Sequence, residues 1–72
     1  MRSFDDVQGG HWQAALMEAS FGNVIAIFSR IGGEGALRAP LNAPSMRAAE
    51  QLLADADEAW LRELLAQAKP WA

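Results

Sequence analysis

Cysteine and tyrosine are absent from this chain, and it carries one histidine, His11, and one lysine, Lys69. Without cysteine, neither a disulfide nor a thiolate zinc site can staple a fold of 72 residues. The lone His11 has Asp5, Asp6 and Glu18 as its nearest carboxylates in sequence. Their spacing fits neither one face of a helix nor a recognised ligand motif, so His11 reads as a surface residue and no metal is expected. Long apolar runs are also lacking. The longest, Val24 to Phe28, falls far short of the ~20 residues that span a bilayer. Acidic Asp5 and Asp6 stand where a signal peptide would have its apolar stretch. No membrane role is expected, and the cytoplasm is the expected location.

Basic blocks are missing as well. Arg2, Arg30, Arg38, Arg47, Arg62 and Lys69 stand singly in a chain of net charge −3. Binding a phosphate backbone requires clustered cations that release counterions. Nucleic acid and anionic membrane surfaces are therefore poor candidates.

What is present is apolar mass. Hydrophobic residues make up 51% of the chain and charged residues 21%, which excludes intrinsic disorder. A chain of this size buries only about 60% of its unfolded surface, so its stability margin is thin. Residues 1–72 form a single domain on this reading, with residues 1–8 as a flexible arm. The abundance of alanine, with five arginines to one lysine, suits a GC-rich bacterial genome.

Residues 11–20 carry two signals. Ala, Leu, Met, Gln and Glu favour a helix. A hairpin turn at Gly22-Asn23 would instead place Phe21 opposite Val24, Ala19 opposite Ala26 and Met17 opposite Phe28 on one apolar face. Ser20 and Glu18 would then oppose Ile25 and Ile27. Residues 23–31 are the clearest strand, being rich in β-branched and aromatic side chains. Gly32-Gly33-Glu34-Gly35 reads as a turn. Ala36–Ala39 reads as a third strand and a potential edge, blunted by Pro40.

Residues 45–69 are helical. Ser45 is suited to an N-cap, and Asp55 with Glu58 forms a capping-box-like second start. Apolar positions stay in phase across that point, so one bent helix competes with two. Pro70 ends the segment. The expected fold class is α+β: a small antiparallel β-meander of two to three strands, followed by two C-terminal helices packed on the sheet. Leu53, Trp60 and Leu64 are expected in the core. Trp12 begins the first element and could plug one end of it.

No catalytic residue set emerges. None of the serines sits in a nucleophile elbow, and the glycine-rich turn lacks both phosphate-loop and dinucleotide spacing. The carboxylates near residues 55–63 read as a solvated face. No catalytic, cofactor-binding or metal residue is assigned, and no cofactor is expected. The chain reads as a non-enzymatic interaction or self-associating module. A small anion- or ligand-binding protein, or an enzyme subunit, using the Gly32–Gly35 turn with Arg30 and Arg38 as a clamp, is the alternative.

The central strand motivates the main reading. Val24, Ala26 and Phe28 point to one face and Ile25 and Ile27 to the other, so both faces are apolar. Two helices on one side would leave Ile25 and Ile27 uncovered, the kind of patch that marks an interface. Trp71 either folds back on the core or projects as an anchor. The candidate interface is thus Ile25, Ile27 and Trp71, with a homodimer or another protein as partner.

Overall fold

Alternation of apolar side chains decides which face each strand buries. The computed structural model describes residues 1–19 and 23–71. Its element order is β1 (Arg2–Asp5), β2 (His11–Glu18), β3 (Val24–Arg30), β4 (Ala36–Leu41), α1 (Met46–Asp55), α2 (Glu58–Gln67) and β5 (Lys69–Pro70). The strands form one antiparallel five-stranded sheet in sequence order. The α+β class and the two C-terminal helices match the sequence reading. The strand number does not: the sheet has five strands rather than two to three.

The extra strands lie at the two ends of the chain. Residues 2–5, read as part of a loose arm, pair with β2 and bury Phe4. One aromatic ring explains the anchoring, because Phe4 packs edge-on against Phe28 with centroids 5.8 Å apart. At the other end, Lys69–Pro70 pairs with Arg38 and Leu37, and the Trp71 N–H donates to the Ala36 carbonyl at 2.9 Å. Pro70 fits because its partner Leu37 stands between the hydrogen-bonded positions, where a missing N–H costs little. Residues 36–38 are therefore covered, not a free edge.

Residues 11–18 are strand, which settles the helix-or-hairpin alternative, but in a different register. Ala14 pairs with Phe28, Ala15 with Ile27, Leu16 with Ala26, Met17 with Ile25 and Glu18 with Val24. The sequence reading placed Met17, Glu18 and Ala19 against Phe28, Ile27 and Ala26, a slip of three residues. An odd slip turns the strand over. Leu16 and Ala14 point into the core, and Met17 and Ala15 point out. The physical reason is the connection. Beyond the Glu18–Val24 pair the Ala19 N–H donates to the Asn23 carbonyl at 2.6 Å, so Asn23 continues the ladder opposite Ala19 rather than sitting in the turn. Ser20 and Phe21, which the same reading set opposite Ile25 and Val24, and Gly22 of its turn lie outside the described residues.

Both helices pack on the face bearing Phe4, Ala14, Ala26, Phe28 and Ala39. Ala26 and Ala39 are cross-strand neighbours. That small-residue floor makes room for Leu53 of α1 and Leu61 of α2, both buried. Val24, Leu41 and Ala49 extend the core toward the start of α1. Trp12, Trp60 and Leu64 are half-buried against it. Leu53→Ala should cost about 2–5 kcal/mol, read from urea denaturation; a loss under 1 kcal/mol would mean α1 does not face the sheet.

Ser45 caps α1, its hydroxyl accepting from Ala48 N–H at 3.1 Å. The chain breaks at Ala56 into two helices rather than one. The second cap is Asp57, accepting from Trp60 N–H at 2.8 Å, in place of the expected Asp55. Asp55 still belongs to α1, where Gln51 donates to it at 2.8 Å. Arg2 closes the far end of α1 by donating to the Leu53 and Ala54 carbonyls at 3.0 and 3.2 Å.

The β1–β2 turn is organised by Asp6. Its carboxylate accepts from the Trp12 indole at 2.8 Å and from Gln8 and Gly10 N–H at 2.8 and 2.7 Å. The Trp12 bond first, then the backbone donors, hold its pKa below the ordinary 3.8. A depressed carboxylate adds stability that is present above the unfolded pKa and is lost as pH falls through the folded one. The difference in Tm between the wild type and Asp6→Asn should be constant near neutrality and shrink below about pH 4. A difference independent of pH would contradict that role.

Candidate interaction face

With both helices on one side, the other side of the sheet is left to the alternate residues. Register places Ser3 and Asp5 of β1, Gln13, Ala15 and Met17 of β2, Ile25, Ile27 and Ser29 of β3, and Arg38 and Pro40 of β4 on this open face. Its apolar centre is Ala15, Met17, Ile25, Ile27 and Pro40. Met17 is 39% exposed, whereas Ile25 and Ile27 are half-buried by their cross-strand neighbours. Ile31 continues the register, its N–H donating to the His11 carbonyl at 2.8 Å, and is 51% exposed.

Trp71 does not fold into the core. It is 45% exposed and stacks against the Arg38 guanidinium, 5.7 Å from its ring centroid. Ile25, Ile27 and Trp71 thus lie on one side of the sheet, with Trp71 at the β5 rim.

The structure separates Arg30 and Arg38. Arg30 shares the helix-side register with Phe28, and its side chain runs under Gly33. Arg38 pairs with Ile27 on the open face. The two thus leave the sheet from opposite faces. The Gly32–Gly35 segment forms the β3–β4 connection, with Gly32 and Gly35 at positive φ. Arg38's nearest cation is instead Lys69, its direct partner across β4 and β5. Sequence reasoning missed Lys69 because a two-residue strand after a helix has no periodicity to detect.

The sheet edges are short or partly blocked. On β1, Asp5 N–H donates to Glu58 at 3.3 Å, and Arg62 Nε donates to the Asp5 carbonyl at 2.7 Å. The Glu58–Arg62 ion pair of α2, 3.9 Å apart, thereby blocks strand addition there. On β4, residues 36–38 are covered by 69–71, and Pro40 has no N–H to offer.

Polar chemistry is confined to the surface. Among the described residues no polar or charged side chain is buried, and no three His, Asp or Glu side chains are placed to hold a metal ion. His11 is exposed and pairs with Asp5 at 2.6 Å. No helix among the described residues is long and apolar enough to cross a membrane. Comparison with protein families, curated proteins and solved structures found no match to this chain.

Proposed function

We propose that this chain is a non-enzymatic interaction module that associates through its open face, with a second copy as the first occupant and another protein as the alternative. One observation carries the reading. Both helices cover the same side of the sheet, leaving Met17, Ile25, Ile27 and Pro40 without a covering layer. Edge-to-edge pairing is disfavoured by Arg62 and Glu58 at Asp5 of β1, by the two-residue length of β5 and by Pro40 where β4 runs past it, so the contact is face to face. Surface charge fits this arrangement. The two helices carry Glu50, Asp55, Glu58 and Glu63 against Arg47 and Arg62, so in a face-to-face pair the acidic layers point outward and apart. The absence of desolvated acids, bases or nucleophiles among the described residues supports a binding role over a catalytic one. The bacterial origin read from composition, and a cytoplasmic location, are kept as part of this proposal.

Strands spaced ~4.8 Å apart and rising ~3.3 Å per residue give a five-stranded face of about 20 by 23 Å. Two such faces bury roughly 1,000 Å² in total, the lower end for a specific interface. The dissociation constant should accordingly lie on the order of 10–100 μM. Sedimentation equilibrium from about 10 to 500 μM should show the mass rising from 7.8 kDa toward twice that value. A chain that stays folded and monomeric throughout would overturn the second-copy reading.

A further inference from the structure

The β4–β5 corner of the open face holds an arrangement that the apolar centre does not explain. Arg38 and Lys69 are direct cross-strand partners, so two cationic side chains leave paired positions on one face, which is unfavourable for the sheet by itself. Among the described residues neither has an ion-pair partner. Beside them runs an open groove of about 420 Å³ lined by Ile25, Arg38, Ala39, Pro40, Gln67 and Lys69. It lies where β5 begins, beside the residues of β4 that β5 does not cover. Trp71 stacks on the Arg38 guanidinium and so restricts where that charge sits before any partner arrives.

We propose that this corner binds an acidic, apolar peptide segment of another protein. A carboxylate of the segment bridges Arg38 and Lys69, and a neighbouring apolar side chain enters the groove over Ile25 and Pro40. Guanidinium geometry suits a planar carboxylate. A carboxylate between the two cations replaces their repulsion with two attractions. Two cations on a chain of net charge −3 do not make the multi-phosphate track that nucleic acid requires. The segment lies over the face, since Pro40 offers no N–H for strand addition. The proposal rests on the open face being an interaction surface, and it adds the chemistry of the partner. The corner lies at the rim of that face but shares Ile25 and Pro40 with its apolar centre, so the peptide and a second copy compete there.

The probe is a short peptide of alternating leucine and acidic residues, blocked at both ends, compared with its Asn/Gln isostere. Titration into the labelled full chain should give saturable amide shifts at Ile25, Arg38, Lys69 and Gln67, with a shift of the Trp71 indole. Binding should weaken at least about tenfold for the isostere, and similarly for Arg38→Gln and for Lys69→Gln. It should also weaken as salt is raised from about 50 to 300 mM. Equal binding of the isostere, or shifts mapping away from the corner, would overturn the proposal. So would a response to a single-stranded oligonucleotide in place of the peptide, which would point to a phosphate partner. Sedimentation of the wild-type chain separates the two readings. A wild-type chain that dimerises but does not bind the peptide defeats the corner alone, whereas peptide binding by a strict monomer defeats only the second copy.

Discussion

Phe28→Ala is expected to lower stability by about 3–5 kcal/mol, leaving a large fraction of molecules unfolded at room temperature. The total available to a domain this small is about 4–11 kcal/mol. Phe28 has no exposed surface and sits in the middle strand between Ala14 and Leu37. Its ring meets Phe4 at 79°, a geometry worth about 0.5–1.5 kcal/mol beyond simple burial. The same ring anchors β1, so its loss should release residues 2–5 before the rest of the sheet unfolds. Urea denaturation followed by circular dichroism gives the first quantity, and amide exchange of Phe4 gives the second. A loss under about 1 kcal/mol would mean that the central strand does not form the floor of the core.

Ile25→Asp is expected to abolish self-association while the monomer stays folded. Ile25 lies between Met17 and Pro40 on the open face, away from the helices. In the monomer the change costs about 1 kcal/mol of strand preference and local packing. In a face-to-face pair it would place an uncompensated carboxylate against apolar surface. The dissociation constant should rise at least about 100-fold, or ~2.7 kcal/mol. Ile27 is a weaker test, since Arg38 stands directly across from it and would pair with an introduced carboxylate. Sedimentation equilibrium together with a thermal melt reads both effects. An Ile25→Asp variant that unfolds outright would mean that these side chains stabilise the monomer itself. One that dimerises normally would place the contact elsewhere.

Much of this architecture was legible in the residues, and the errors have identifiable causes. Alternation along Val24–Phe28, the cap at Ser45 and the breaker at Pro70 are short-range signals, and each led to the right element. The register between β2 and β3 was not legible, because two apolar sets compete for the inward face. Met17 and Ala19 appeal to local turn chemistry. Trp12, Ala14 and Leu16 match the helices, and that match is tertiary. Asp57 outcompeted Asp55 as a cap by a shift of two residues that propensity does not resolve. β1 and β5 were missed because short strands at chain ends are held by Phe4 and by the Trp71–Ala36 bond, contacts invisible without the sheet. The open face followed from Ile25 and Ile27 alone. Its cation pair did not, since Arg38 meets Lys69 only through β5, whereas the nearer Arg30 lies on the opposite side.

The central claim is that the helix-free face of the sheet is where this protein meets its partner. A mixed sample, half carrying labelled isoleucine and methionine methyls and half unlabelled, tests it most directly through isotope-filtered contacts between copies. At about 500 μM, well above the expected dissociation constant, intermolecular contacts should arise from Met17, Ile25 and Ile27 and be absent from Met46, the first residue of α1. Contacts from the helical layer instead, or none from the three open-face residues at a concentration where sedimentation shows dimers, would contradict it.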